Sequence, residues 1–161
     1  MKYFILLCLT LNLYAQDTLG MVDTFDLPEL NIYNINAKID TGAKTSSLHC
    51  GDIVPIKNNL VKFIVLDSKN KKLTDDYIVK SISRISNVKS STGNIQKRYF
   101  IKTKIVIYNK IYNIEVSLSF RDTMKYPLLI GRELLKQGFI VDVGKQNLSY
   151  KAKNYNLGTR R

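Results

Sequence analysis

The 161-residue chain contains a single histidine, His49, two cysteines, Cys8 and Cys50, and three prolines. These scarcities exclude several chemistries at once. A zinc site of four cysteines, or of two cysteines and two histidines, cannot be assembled. There is no helical His-Glu-x-x-His run and no Walker-type phosphate loop. Acidic residues are few as well: 13 Asp and Glu stand against 25 Lys and Arg, a formal net charge of +12. Such a surface attracts polyanions, whether nucleic acid, anionic lipid or acidic peptide. The lysines are scattered, not striped with aromatics, so most of this charge reads as solubility and codon bias. Alanine is scarce while Tyr, Ile, Val and Phe are plentiful, a mix that favours strands.

The length suits one domain with a real core and is too short for two full lobes. Lys2 is followed by an apolar run from Tyr3 to Leu11, and Ala15 is a small residue at its exit. That is the pattern of a secretory signal peptide; the alternative is an uncleaved membrane anchor, although the run is short for a comfortable transmembrane helix. The expectation is a signal over 1–15 cleaved near Ala15, a domain over 16–150 and a loose basic tail over 151–161. The body is then periplasmic or secreted, with no stable membrane insertion. Loss of Cys8 with the signal leaves Cys50 alone, so no intrachain disulfide can form.

Apolar-polar alternation then predicts strands. They fall at Met21 to Asp26, Asn31 to Ile39, Thr45 to Cys50, Leu60 to Leu66, Ile111 to Phe120 and Phe139 to Val143, with a last short one at Leu148 to Tyr150. Tyr77 to Val88 and Ile95 to Ile107 flank a small polar connection, the pattern of a long hairpin with an exposed tip. Only Gly131 to Gln137 reads as a helix, stopped by Gly138. Many short strands with one short helix near the C-terminus predict an all-β, closed barrel.

Two stretches stand out chemically. One is Ile39-Asp40-Thr41-Gly42-Ala43-Lys44-Thr45-Ser46-Ser47-Leu48. The other is Pro127-Leu128-Leu129-Ile130-Gly131-Arg132-Glu133-Leu134-Leu135. Asp-Thr-Gly alone is an ordinary turn. Here it ends an apolar strand, a hairpin follows, and a second apolar strand later ends in glycine and opens a helix. Taken together this order resembles the retropepsin-like aspartic peptidases, over roughly Met21 to Tyr150. It is most similar to the bacterial branch labelled ATP-dependent zinc proteases and associated with glutamate-ligating enzymes. Lys38 to His49, Ser90 to Asn94 and Arg121 to Arg132 carry that likeness. The residues themselves support neither zinc nor ATP, and no cofactor is expected.

The resemblance implies an aspartic-type endopeptidase with a retropepsin-like barrel and Asp40 as its catalytic carboxylate. Thr41, Gly42, Ala43 and Thr45 would support the catalytic loop. Ser90, Ser91, Thr92, Gly93 and Asn94 would form a flap over bound peptide. Ile130, Gly131 and Arg132 would lie behind the site. Viral retropepsins place an acid shortly after the motif to pair with the helix arginine. This chain has Lys44 and Thr45 there, so Arg132 is expected to bond backbone or another acid. The chemistry needs two carboxylates sharing one proton, and the chain has one such motif, so a homodimer would supply the second. The substrate would be a peptide or protein, with acidic peptides favoured by the ligase association and the charge. His49 is expected to be a surface or satisfied core histidine, and Cys50 a small buried hydrophobe. Two rival readings are a catalytically inactive peptide-binding module that keeps the barrel in the periplasm, and a basic barrel that binds polyanions. Export argues against nucleic acid as partner.

Overall fold

The computed structural model describes residues 16–89, 95–121 and 125–158. The segment 1–15, expected to be a signal peptide, and the expected hairpin tip, Ser90 to Asn94, therefore lie outside the described residues. Ten strands dominate: β1 (Asp17–Leu27), β2 (Ile32–Ile39), β3 (Ser46–Ile56), β4 (Leu60–Val65), β5 (Ile78–Ser81), β6 (Arg84–Lys89), β7 (Ile95–Ile107), β8 (Lys110–Ser119), β9 (Leu128–Ile130) and β10 (Phe139–Gln146). A 3-10 turn, Pro28–Leu30, follows β1; α1 (Arg132–Leu135) follows β9 and α2 (Leu148–Gly158) follows β10.

Neighbouring strands run in the order β10-β1-β2-β9-β3-β8-β7-β6, and β1 also meets β7 at Asp26 and Val106. That extra pairing joins β1, β2, β9, β3, β8 and β7 into a ring. β3 continues past an irregularity between Gly51 and Val54 into a second layer with β4 and β5. The period of two holds from Ile35 to Ile39, after a slip at Tyr33 and left-handed Asn34. In β2, Ile32, Ile35, Ala37 and Ile39 are buried and Asn36 and Lys38 are exposed. They meet Phe25, Leu48, Ile101, Ile105, Leu118, Leu128 and Ile130 in one core.

Paired left-handed residues close two of the hairpins. Asn58 and Asn59 (φ 63° and 57°) join β3 to β4, and Tyr108 and Asn109 (φ 51° and 61°) join β7 to β8. Two consecutive left-handed residues match the twist of the flanking strands. Asparagine tolerates that region. Tyr108 does not favour it, and its N–H is held by the Ser149 hydroxyl at 2.8 Å.

The structure corrects four expectations. Tyr77 to Val88 is not one strand. β5 pairs with β4, whereas β6 pairs with β7. The chain changes layers at buried Ile82, whose N–H donates to the Asn59 carbonyl and whose carbonyl accepts from the Asn59 amide. Leu148 to Tyr150 is not a strand but the first turn of α2. The tail is accordingly not loose as far as Gly158, and the single-helix expectation fails with it.

α2 was missed because it lacks an apolar stripe. Two acids of β1 anchor it instead. The buried Asp23 carboxylate accepts from the N–H groups of Ser149 (2.9 Å) and Tyr150 (3.1 Å), capping the helix from another element. Asp26 takes the Lys153 ammonium at 2.8 Å. Asp23→Ala is expected to strand these buried donors and cost about 2–3 kcal/mol, read by urea unfolding. Asp23→Asn, which keeps an acceptor oxygen, should cost less. An alanine variant as stable as the parent would contradict the anchoring.

Candidate active site

Asp40 leaves the end of β2, where β9 lies parallel to β2 (Ile39 beside Ile130) and antiparallel to β3 (Ser47 beside Leu129). Asp40 N–H donates to the Ile130 carbonyl at 2.9 Å, which fixes where the loop begins. The loop then folds back on its own carboxylate. Asp40 Oδ1 accepts from Gly42 N–H at 3.0 Å and from Ala43 N–H at 3.2 Å. These bonds set the side-chain rotamer. Oδ2 makes no hydrogen bond among the described residues. Thr41 and Gly42 are exposed, whereas Asp40, Ala43 and Thr45 are half-buried.

The second motif braces this loop from behind. Gly131 N–H donates to Ser46 Oγ at 3.0 Å. Arg132 and Glu133 N–H donate to the Ala43 and Lys44 carbonyls at 3.0 and 3.1 Å. Arg132 Nη1 reaches the carbonyls of Thr41 (2.8 Å) and Gly42 (2.9 Å). With no acid available after the motif, the arginine bonds backbone. A guanidinium hydrogen-bonded to two carbonyls ties the loop tip to α1. Arg132→Met is expected to lose about 1–3 kcal/mol of stability, seen as a lower urea midpoint with an unchanged slope. An unchanged midpoint would show that this tie does no structural work.

Beside Asp40 lies a cleft of ≈ 400 Å³ whose lining includes Lys44, Arg84, Arg98 and Arg121, with Asp40 as its only acid among the described residues. Hydroxyls of Thr45, Ser47, Ser86 and Ser117 and the faces of Phe100 and Leu129 complete it. Arg84 is fixed: its Nε donates to Glu115 at 2.8 Å and its guanidinium sits 3.4 Å from the centroid of the Phe100 ring. For Glu115, burial opposes ionisation, but hydrogen bonds from Ser83 and Arg84 and the charges of Arg84 and Lys102 outweigh it and hold the carboxyl below its usual value. Arg98 is half-buried. Burial first, and the charge of Arg121 second, lower its pKa.

Sequence reasoning found Asp40, its loop and the β9–α1 brace, and the fold brings these together. The proposed flap residues Ser90 to Asn94 fall outside the described residues, although β6 and β7 that would carry them pair from Arg84–Phe100 to Lys89–Ile95. Arg84 and Arg98 were missed, and Arg121 entered only as the start of the 121–132 likeness, not as a residue of the cleft. A signal existed: the chain has 19 lysines and six arginines, and four of those arginines surround the Asp40 loop. Arginine is the cation used where geometry matters.

His49 and Cys50 do not make a metal donor set. His49 is buried, with Nε2 2.8 Å from Asn70 Oδ1 and Nδ1 accepting from Arg121 N–H at 3.4 Å, so both ring nitrogens are engaged. Burial pushes the Cys50 thiol well up, away from the thiolate form that binds metals. Among the described residues no three His, Cys, Asp or Glu side chains converge.

Comparison with known proteins follows the same lines. A family model described as RimB-like, retropepsin-like aspartic endopeptidase RimB, matches residues 18–152. A protein of Desulfotalea psychrophila named probable alpha-L-glutamate ligase is 30% identical over 135 residues, which cover 82% of this chain and 29% of that protein. One of the same name from Shewanella halifaxensis is 31% identical over 138 residues, covering 80% of this chain and 30% of that one. The chain thus spans less than a third of the length of these curated relatives. The crystal structure of Lpg0085 from Legionella pneumophila, a protein of unknown function (DUF785), matches with a TM-score of 0.69 and 25% identity, over 84% of this chain and 99% of that one.

Proposed function

Because the chain belongs to the RimB-like family of retropepsin-like aspartic endopeptidases, we propose that it hydrolyses peptide bonds with water activated between two Asp40 carboxylates, one from each chain of a homodimer. The observation that carries this reading is the Asp40 loop. Its carboxylate is oriented by two backbone N–H groups through one oxygen, and the other has no hydrogen-bond partner among the described residues beside an open cleft. The β1–β2–β9–β3–β8–β7 ring then serves as the closed retropepsin-type barrel that holds the loop rigid.

Two carboxylates a few ångströms apart cannot both ionise easily, so they share one proton. The ionised one takes a proton from water; the protonated one hydrogen-bonds the scissile carbonyl. The water oxygen adds to the carbonyl carbon, and the proton passes to the leaving amine as the C–N bond breaks. No covalent intermediate forms on the enzyme. Thr41 and Gly42, exposed at the loop tip, would meet their copies across the two-fold axis. The β6–β7 hairpin would close over the bound peptide and exclude water.

The substrate is proposed to be an acidic, glutamate-containing peptide, acted on outside the cytoplasm. Support comes from the glutamate-ligase names of relatives that contain a segment like this chain, and from the cationic cleft. The test combines two measurements on the mature chain: its mass in solution, and cleavage of glutamate-rich peptides between mildly acidic and neutral pH. A dimer whose specific activity falls on dilution through its dissociation range is expected. A strict monomer that cuts nothing would instead support a peptide-binding module.

A further inference from the structure

The three arginines of the cleft are not equivalent. Arg84 already has a carboxylate partner in Glu115 and a ring to lie on. Arg98 and Arg121 line the same cleft with no ion-pair partner among the described residues. They face each other's charge, and the Arg98 Nε is sealed from water without a hydrogen bond. A buried polar group in that state raises the free energy of the empty protein, and two like charges in a partly buried cleft raise it further. Both costs vanish if an anion enters. A carboxylate offers two oxygens to the guanidinium fork, so a small side-chain rotation can put Nε and one Nη on it together. Two of the cleft's serine hydroxyls are already engaged. Ser47 bonds Ser119 at 2.9 Å, and Ser117 donates to the Ser46 carbonyl at 3.3 Å.

We propose that Arg98, with Arg121 beside it, forms a carboxylate-reading subsite that holds an acidic side chain of the substrate next to Asp40, making Arg98 the main specificity-determining residue of the cleft. Arg84 acts as a fixed wall. It is held by Glu115, touches the catalytic loop through Thr45 Oγ1 at 3.4 Å, and keeps its position whatever the ligand. The subsite rests on the peptidase reading only for its biological meaning. Its binding chemistry can be tested without cleavage.

The probes are acetyl-tetraglutamate amide and acetyl-tetraglutamine amide, matched in shape and differing in charge. Their affinities are measured by calorimetry at fixed salt on the full Asp40→Asn chain, which cannot turn them over. The glutamate peptide is expected to bind more tightly by on the order of 10- to 100-fold, the discrimination of a desolvated charge-assisted hydrogen bond. Arg98→Met should remove most of that preference, and Arg98→Lys should restore only part, because a lysine cannot present a fork. Lys57→Met removes the same charge from the distant β3–β4 turn and should leave the preference in place. Thermal unfolding of each variant checks that it is folded. The subsite is overturned if folded Arg98→Met keeps the preference, if Lys57→Met loses as much, or if the parent binds both peptides equally. If the preference is present and depends on Arg98 but the unmutated chain cuts neither peptide, the subsite stands and the peptidase reading falls.

Discussion

Asp40→Asn is expected to reduce peptide cleavage by about 10²–10⁴-fold, the contribution typical of a positioned general acid or base, while the folded structure is retained. The geometry separates the two effects. Asp40 helps the fold through Oδ1, which accepts from Gly42 and Ala43 N–H. An asparagine carbonyl in the same rotamer accepts both bonds. The substitution therefore removes the charge and the exchangeable proton but not the loop's anchor, and unfolding free energy should change by less than about 1 kcal/mol. Activity measured under saturating peptide, with circular dichroism and a urea curve on the same sample, checks both halves. Cleavage at the parental rate would exclude Asp40 from the chemistry. Loss of activity together with loss of fold would show only that the loop had been broken.

The second large effect is structural and lies behind the site. Gly131→Ala is expected to destabilise the chain by about 2–4 kcal/mol and to abolish activity indirectly. A β-carbon at Gly131 would stand 2.6 Å from the Thr45 carbonyl carbon and 2.9 Å from the Lys44 oxygen. Both are backbone atoms of the catalytic loop, so no side-chain rotation can relieve the contact. Either the loop shifts away, or the β9–α1 junction does. If the junction moves, the Gly131 N–H to Ser46 bond and the Arg132 bonds to Thr41 and Gly42 are lost with it. The signature is a lower urea midpoint accompanied by lost activity, in contrast to Asp40→Asn, where only activity falls. An alanine variant with parental stability would mean that the close approach is not required.

These two positions were also the most legible in the sequence, and for a physical reason. Each sits where local chemistry is severe: a carboxylate capping its own turn, and a glycine where two backbones touch. Constraints of that kind leave short fixed patterns. The Asn58-Asn59 turn carries a signal of the same kind, since asparagine accepts the left-handed conformation found there. The rest was hidden because it depends on register. Arg84, Arg98 and Arg121 are separated by 14 and 23 residues in the chain, and only the β6–β7 pairing and the end of β8 bring them to one cleft. The break at Ile82 was invisible because both halves of the run alternate equally well; the Asn59 side chain, far away in sequence, decides it. The C-terminal helix escaped because its anchor is the pair of acids on β1, with no apolar face of its own to give a 3.6-residue period.

The central claim is that one working site contains an Asp40 from each of two chains. The most direct measurement mixes unmutated chain with Asp40→Asn chain at constant total concentration, after allowing subunits to exchange. If both carboxylates are needed, activity follows the square of the unmutated fraction, and an equal mixture retains about a quarter of the parental rate. If each chain works alone, activity follows the fraction itself and the equal mixture retains about half, which would contradict the shared site.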